Sequence, residues 1–125
     1  LQASRILVNL MPLTPETENI LNKDTLSQLQ KGGYVINVAR GKHLVEEDLI
    51  TLIDKGHLAG ATLDVFRTEP LPAEHPFWRH PQITVTPHTS ARTLREESIA
   101  QIVCKIQALQ RGEAINGVVD SKKGY

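Results

Sequence analysis

The sequence contains a single cysteine, Cys104, so neither an internal disulfide nor a zinc site built on cysteine ligands is possible. Charge of one sign is not in excess either, because 14 basic residues balance 14 acidic ones. This balance disfavours nucleic acid and anionic membrane surfaces as partners. The apolar stretches are far shorter than a bilayer span. Together these absences predict a soluble, cytoplasmic protein with no nucleic-acid or membrane partner.

The length of 125 residues, 40% of them hydrophobic, allows one modest globular core. The chain passes almost directly from Leu1 into an apolar run at residues 6–10, without a leading loop. We therefore expect a piece of a longer polypeptide that begins within a fold.

Short β-branched runs alternate with segments of helical periodicity, which predicts an α/β fold with a parallel sheet. The runs suited to strands cover residues 5–10, 34–38, 59–65 and 83–86, with a further short strand expected at 115–119. The segments suited to helices cover residues 23–29, 45–55 and about 92–111. We expect the first strand to be buried on both faces, because its residues do not alternate between apolar and polar as they do in a strand with one exposed face. Between the last two main strands, residues 66–82 hold four prolines, and connections of this length are usually functional.

Capping residues mark the ends of the predicted helices. Asn22 and Ser90 are suited to begin the first and third helices, because their side chains accept hydrogen bonds from free backbone N–H groups. Gly56 and Gly112 are suited to end the second and third helices. The third helix carries an apolar stripe made of Ile99, Ile102, Val103, Ile106 and Leu109.

Two charged residues lie where predicted strands end, and ligands of open α/β sheets bind outside the carboxyl ends of strands. Arg40 stands between a strand and Gly41, where it is either a surface arginine in a turn or a planar group that grips a carboxylate. Asp64 interrupts an apolar strand, and an ionised carboxylate there must be paired or hydrogen-bonded. It either bonds nearby backbone N–H groups and hydroxyls or accepts from the amide of a ligand.

A histidine and a glutamate complete the set of candidate groups. His88 ends the last predicted strand just after Pro87, and histidine is suited to general acid catalysis near neutral pH. Glu69 is by itself a solvated loop carboxylate. Beside a histidine it becomes the partner that fixes the tautomer and favours the imidazolium. Together with Arg40, these groups suit a small anionic carbonyl substrate and a proton transfer to it.

The remaining histidines and the single tryptophan are expected to have structural roles. His43, His57, His75 and His80 lie in turns or in the proline-rich connection, which favours surface or loop-packing positions, and we expect no metal site. Trp78 is suited to anchor that connection against the domain or a neighbouring subunit, with a pocket wall as the alternative. Cys104 is expected to be a small buried apolar residue without a redox role.

Three motifs in this order resemble the D-isomer-specific 2-hydroxyacid dehydrogenases: Asn-Val-Ala-Arg-Gly at residues 37–41, Gly-Ala-Thr-Leu-Asp-Val-Phe at 60–66 running to Glu-Pro-Leu-Pro at 69–72, and Thr-Pro-His at 86–88. The resemblance begins at residues 6–17 and covers nearly the whole chain. Within the family, residues 75–81 and 119–125 look most like the glyoxylate/hydroxypyruvate reductases.

The resemblance implies a Rossmann-type, doubly wound parallel sheet divided in a particular way. Residues 1–91 would be the C-terminal half of the NAD(P)-binding domain, and residues 92–125 a crossover helix and tail that pack on a substrate domain. The family's Gly-x-Gly-x-x-Gly turn is missing from this sequence, as is the ribose-reading residue beyond it. We therefore expect these 125 residues alone to be inactive.

The activity implied by the resemblance is the NAD(P)H-dependent reduction of a small 2-oxoacid, glyoxylate or hydroxypyruvate, by a full-length homodimer. Arg40 would bind the substrate carboxylate and carbonyl, His88 would protonate the carbonyl oxygen, and Glu69 would support His88. Asp64 would hold the nicotinamide carboxamide. The cofactor-lining residues would be Met11, Pro12, Thr17, Val38, Ala39, Arg40, Asp64 and Ser90.

Two choices depend on the branch of the family. The reductase branch favours NADPH over NADH. Formate dehydrogenases of this superfamily carry glutamine as the partner of the histidine, so Glu69 argues against that branch. Transcriptional corepressors on the same fold keep similar residues, so a dinucleotide-sensing regulatory protein is the alternative function.

Overall fold

A computed structural model describes residues 1–91, 93–120 and 122 of the chain. The strands are β1 (Ile6–Asn9), β2 (Gly33–Asn37), β3 (Leu58–Leu63) and β4 (Ile83–Val85). The helices are α1 (Lys23–Leu26), α2 (Glu46–Asp54) and α3 (Arg95–Gln110), with short 3-10 turns at Gly41–His43 and Pro76–Trp78. The chain divides into two compact units, Leu1–Ser90 with the sheet and Ala91–Tyr125 with α3. None of the helices in the described part has the length and apolar character needed to cross a membrane.

The four strands form one parallel sheet in the order of the chain, β1-β2-β3-β4, as the alternation of strands and helices predicted. At their carboxyl ends the register pairs Asn9 with Asn37, Asn37 with Leu63, and Leu63 with Val85. The segments that follow the four strands therefore leave the sheet along one edge, and this edge is where ligands bind in open α/β sheets.

The core of the first unit lies against the inner face of β2 and β3 and is covered by α2. Full burial of an aliphatic side chain of this size contributes about 1.5–3 kcal/mol relative to exposure. The apolar side chains that are almost fully buried are Leu26, Val35, Leu44, Leu49, Leu58, Leu63, Val65 and Phe77.

The capping residues Asn22 and Gly56 were predicted correctly. Asn22 accepts from the N–H groups of Asp24 and Thr25, and Thr25 accepts from the N–H of Asn22, which forms a capping box. At the end of α2, Gly56 has a left-handed backbone (φ +68°) and its N–H bonds to Ile53 O at 2.8 Å. α1 is shorter than predicted, since residues 28 and 29 bond three rather than four positions back.

The prediction that β1 is buried on both faces was wrong. Ile6 and Val8 are 61% and 48% exposed, whereas Asn9 is buried. β1 is an edge strand of the sheet, and Ile6 and Val8 lie on one of its faces, which the described residues leave largely uncovered. A run of apolar residues predicts a strand but does not say which of its faces is covered.

Three predictions for the second unit were also wrong. α3 begins at Arg95 after Leu94, so Ser90 does not cap it, and the predicted start at Arg92 lies outside the described residues. Residues 115–119 form no strand. Cys104 is exposed rather than buried.

The predicted apolar stripe of α3 is present, but each of its side chains is about half exposed. Gly112 ends the helix with φ +73°, as expected.

Gly41 occupies the closest approach between two loops at the carboxyl edge. A Cβ atom at this position would lie 1.9 Å from the carbonyl carbon of Phe66 and 2.0 Å from its oxygen. Both atoms belong to the backbone, so they cannot move aside as a flexible side chain could. The absence of a side chain at residue 41 thus lets the turn that carries Arg40 rest on the segment after β3.

We predict that Gly41→Ala lowers the free energy of unfolding by about 3 kcal/mol or more, because the added methyl group forces two backbone segments apart. Gly56→Ala is the matched control, since its Cβ would meet nothing within 4 Å and only the left-handed backbone is disfavoured. We expect about 1 kcal/mol for this control. Urea unfolding monitored by circular dichroism measures both, and equal losses would contradict the close approach at Gly41.

Candidate active site

Arg40 lies three residues after the end of β2, with an extended backbone (φ −143°, ψ 144°) just before the 3-10 turn at Gly41–His43. Its Nη1 donates to the carbonyl oxygen of Ala39 at 2.6 Å. Arg40, Glu69 and His88 line one cavity of about 280 Å³, together with Leu13 and Lys42. The structure therefore brings the arginine and the histidine–glutamate pair to the same space, as the three motifs predicted.

His88 has a left-handed backbone, with φ +53°, which is uncommon for a residue with a side chain. Its Nδ1 lies 2.8 Å from Oε2 of Glu69. The other carboxylate oxygen of Glu69 accepts from the N–H of Phe66 at 2.9 Å, so the carboxylate is held at both ends. Backbone strain of this kind is concentrated at functional sites, where surrounding contacts maintain it.

The charge state of Glu69 follows from these contacts. The hydrogen bond from His88 and that from the Phe66 N–H hold the pKa of Glu69 below its usual range, against a smaller opposing effect of burial, and the charge of Arg40 acts in the same direction. Glu69 is therefore ionised at neutral pH and orients the imidazole through Nδ1. Nε2 is then the ring nitrogen available for proton transfer.

A second cavity, of about 230 Å³, meets the first at Glu69 and His88. Its other walls are apolar and come from the proline-rich connection and β4. Trp78 is one of them, and its Nε1 donates to the carbonyl oxygen of Pro72 at 2.9 Å. The tryptophan is anchored within its own loop and also forms the wall of a cavity beside the histidine. The remaining apolar walls are Phe66, Pro70, Leu71, Val85 and Pro87.

Asp64 is 1% exposed and accepts four hydrogen bonds from the segment that flanks His88. The hydroxyls of Thr86 and Ser90 donate at 2.5 Å each, and the N–H groups of Thr89 and Ser90 donate at 2.9 Å each. These four donors match the acceptor capacity of an ionised carboxylate. The structure thus favours the structural alternative for Asp64, and it shows what Ser90 does in place of capping α3.

The environment of Asp64 keeps it ionised in spite of its burial. Burial by itself would raise the pKa of Asp64, but the bonds from Ser90, Thr86 and Thr89 outweigh it and hold the pKa well below the usual range. Because donors on both sides of His88 converge on one carboxylate, Asp64 maintains the turn in which the left-handed His88 stands.

A buried polar network beneath Arg40 was missed from the sequence. Asn9, Asn37 and His43 are each at most 2% exposed and bond to one another. His43 was expected at the surface or in a loop contact, and the loop contact is correct, since its Nε2 lies 3.2 Å from the carbonyl oxygen of Pro12. The available signal was the asparagine that ends both β1 and β2, because the register places these two residues side by side.

The predicted cofactor-lining residues other than Arg40, Asp64 and Ser90 also lie along the carboxyl edge of the sheet. Met11 and Pro12 follow β1, and Val38 and Ala39 follow β2. The hydroxyl of Thr17 donates to the carbonyl oxygen of Pro12 at 2.8 Å, so it shapes the loop after β1. This arrangement is the carboxyl edge at which a Rossmann-type domain binds its dinucleotide.

A parallel sheet of this topology, with polar and charged groups gathered along its carboxyl edge, is the arrangement of a Rossmann-type dinucleotide-binding domain. Residues 1–90 match the D-isomer specific 2-hydroxyacid dehydrogenase NAD binding domain. The chain belongs to this family.

Two relatives are named glyoxylate/hydroxypyruvate reductase A. The chain is 53% identical over 125 residues to the protein from Serratia proteamaculans and 49% identical over 125 residues to that from Escherichia fergusonii. In each case the alignment covers all of this chain and 40% of the relative. The chain thus spans less than half the length of these relatives.

Solved structures agree with the fold. A D-isomer specific 2-hydroxyacid dehydrogenase from Xanthobacter autotrophicus, in complex with NADPH and MES, is 42% identical with a TM-score of 0.93, and the match covers all of this chain and 52% of that one. An NADPH-dependent glyoxylate/hydroxypyruvate reductase from Sinorhizobium meliloti, in complex with NADP and sulfate, is 36% identical with a TM-score of 0.94, covering 100% and 41%.

We predict that Asp64→Asn lowers the free energy of unfolding at pH 7 by about 2 kcal/mol, because the amide NH₂ would face N–H and O–H donors. The folded-state pKa of Asp64 is depressed, so its stabilisation is fully present above the ordinary carboxyl pKa of about 3.9 and is lost as pH falls through the folded value. The difference from wild type should therefore shrink below about pH 4.

The control for this experiment is Asp54→Asn, whose side chain is 65% exposed and pairs with His80. We expect a loss below about 1 kcal/mol, without the same pH dependence. Urea titrations at a series of pH values measure both variants. A constant difference between wild type and Asp64→Asn down to pH 2 would contradict the ionised, hydrogen-bonded state.

Proposed function

We propose that the full-length protein reduces a small 2-oxoacid, glyoxylate or hydroxypyruvate, to the 2-hydroxyacid with a nicotinamide dinucleotide. The observation that carries this proposal is the cavity shared by Arg40, Glu69 and His88, with the imidazole 2.8 Å from the carboxylate. The names of the relatives from Serratia and Sinorhizobium support the same substrates.

Each of the three side chains has a role in the proposed reaction. Arg40 binds the substrate carboxylate with its planar fork and polarises the adjacent carbonyl. His88 delivers a proton from Nε2 to the carbonyl oxygen, while Glu69 holds the ring through Nδ1. Two positive groups then lie beside the oxygen that gains negative charge, and this electrostatic stabilisation supplies much of the rate.

The residues at the carboxyl edge fit a dinucleotide, because the loops after β1, β2 and β3 and the turn after β4 leave the parallel sheet together. When bound, the cofactor supplies the hydride that reaches the carbonyl carbon. The residues proposed to hold it are Met11, Pro12, Thr17, Val38, Ala39, Arg40, Asp64 and Ser90. NADPH is the favoured form, since the relatives from Xanthobacter and Sinorhizobium were crystallised with NADPH and NADP.

The role of Asp64 toward the cofactor is restricted by its existing bonds. All four of its acceptor positions are used by Thr86, Thr89 and Ser90. To accept from the nicotinamide carboxamide, Asp64 would have to release one of these donors. The hydroxyl of Ser90 is the donor that can rotate away with the smallest change in backbone.

The proposal extends to the organisation of the whole enzyme. Residues 1–91 would form the C-terminal half of the dinucleotide domain, and residues 92–125 would pack on a substrate domain through the exposed apolar stripe of α3. The complete enzyme would be a cytoplasmic homodimer without a nucleic-acid partner. No observation favours the regulatory alternative, and the relatives described above are named as reductases and dehydrogenases.

The direct test is turnover. Full-length protein with NADPH should reduce glyoxylate and hydroxypyruvate, followed by the loss of absorbance of the reduced nicotinamide. Binding of NADPH without turnover of either acid would overturn the proposed activity and favour a dinucleotide sensor.

Arg40→Lys should lower kcat/KM for the 2-oxoacid at least ~10-fold, about 1.4 kcal/mol, because a lysine keeps the charge but loses the fork. Arg67→Lys is the matched control: Arg67 lines the same cavity, but its guanidinium donates to Oδ1 of Asn19. We expect nearly unchanged kinetics for this control. Equal effects of the two variants would remove Arg40 from its proposed role.

Glu69→Gln should lower kcat/KM for oxoacid reduction at least ~10-fold, about 1.4 kcal/mol, because the carboxylate that orients the His88 ring through Nδ1 is lost. Glu46→Gln is the control, since Glu46 forms the same kind of pair with His75 at 3.4 Å, and its kinetics should stay near those of wild type. Steady-state rates with NADPH and either oxoacid measure both variants. Wild-type kinetics of Glu69→Gln would show that Glu69 does not act on His88.

A further inference from the structure

We propose that His43 is a positioning residue that holds the loop after β1, at Met11 and Pro12, at a fixed place relative to Arg40. This inference rests on the proposed function, in which that loop lines the cofactor and Arg40 binds the substrate. His43 itself is 0% exposed and contacts neither ligand in this assignment.

The hydrogen bonds form a continuous path from one side of the loop to the other. The N–H of Met11 donates to Oδ1 of Asn9 at 3.2 Å. Nδ2 of Asn9 donates to Oδ1 of Asn37 at 3.0 Å and to Nδ1 of His43 at 2.9 Å. Nε2 of His43 then donates to the carbonyl oxygen of Pro12 at 3.2 Å. The network thus holds the loop at two successive residues.

The same network also holds the backbone of Arg40. Nδ2 of Asn37 donates to the carbonyl oxygen of Arg40 at 3.1 Å, and the N–H of His43 donates to that oxygen at 3.2 Å. The N–H of Ala39 donates to Oδ1 of Asn37 at 3.2 Å. The imidazole is therefore joined to Pro12 directly, to Met11 through the amide of Asn9, and to the backbone of Arg40 through the amides of Asn9 and Asn37 in turn.

The direction of every bond in this path is determined. The N–H of Met11 needs an acceptor, so Oδ1 of Asn9 faces it and the NH₂ of Asn9 faces His43. Nδ1 of His43 must then accept, so the ring proton lies on Nε2, which donates a hydrogen bond to the carbonyl oxygen of Pro12. A reversed amide or the other tautomer would leave buried polar groups without partners, which folded proteins avoid.

The hydrogen bonds of Asn9, Asn37 and His43 hold the chain beyond the carboxyl ends of β1 and β2, where the strands no longer pair. The ladder between β1 and β2 ends at Asn9 and Asn37, so the residues beyond them have no further strand pairing. An apolar side chain at position 43 could fill the same space but could not bond the carbonyl oxygen of Pro12. The imidazole is the side chain that joins this loop to the turn at Arg40, with Thr17 as the other donor to Pro12.

Three variants of full-length protein separate the two nitrogens of His43. The amide nitrogen of His43→Gln occupies the place of Nε2 and keeps the bond to Pro12. His43→Asn keeps an acceptor for Asn9 but cannot reach Pro12, and His43→Leu loses both bonds. We expect the Kd and KM for NADPH to rise about 10-fold in the Asn and Leu variants and to stay near wild type in the Gln variant. The kcat at saturating NADPH should change little in all three.

His80→Leu removes a histidine that pairs with Asp54 outside the site, and it should leave the Kd for NADPH unchanged. Calorimetric titration with NADPH needs no turnover, so it tests the role of His43 even if neither oxoacid is reduced. If the Kd values follow the expected order but neither oxoacid is reduced, only the proposed activity is overturned. Equal Kd values in the Gln and Asn variants would overturn the proposal, even if the Leu variant fails to fold. A fall in thermal stability shared by all three, with wild-type Kd, would also overturn it.

Discussion

Parallel pairing of the four strands in chain order is the constraint on which the site depends. Because the strands run the same way, each of their carboxyl ends reaches the same edge, and the residues that follow them meet there. Arg40 comes after β2, Glu69 after β3 and His88 after β4. The sheet thus brings together residues that are up to 48 positions apart in the sequence. Antiparallel pairing of any one strand would carry its residue to the opposite edge.

Beyond the last ladder bonds, buried polar groups take over the positioning. Asp64 collects four donors around the turn that holds His88, and the asparagine–histidine network joins the loop after β1 to the turn at Arg40. In both arrangements every buried side-chain N or O atom has a hydrogen-bond partner, and that is the condition under which burial of polar groups is tolerated. These hydrogen bonds are directional, whereas apolar packing is not.

The His88–Glu69 pair is still open to solvent, with side-chain exposures of 50% and 37%. Charges in water interact weakly, so the electrostatic contribution of Arg40 and His88 to a reaction depends on exclusion of water from the cavity. The chain spans 40% of the length of its reductase relatives.

The sequence by itself determined the four strands of the sheet, the helix caps at Asn22 and Gly56, and the convergence of Arg40, Glu69 and His88, because these follow from periodicity, short-range hydrogen bonding and strand direction. It did not determine burial or long-range partners. The exposed face of β1, the exposed Cys104, the use of Ser90 by Asp64 and the buried position of His43 were decided by the tertiary structure. The physical reason is that burial and hydrogen-bond partners depend on neighbours distant in sequence, as His43 and Pro12 are, and no local pattern of residues records them.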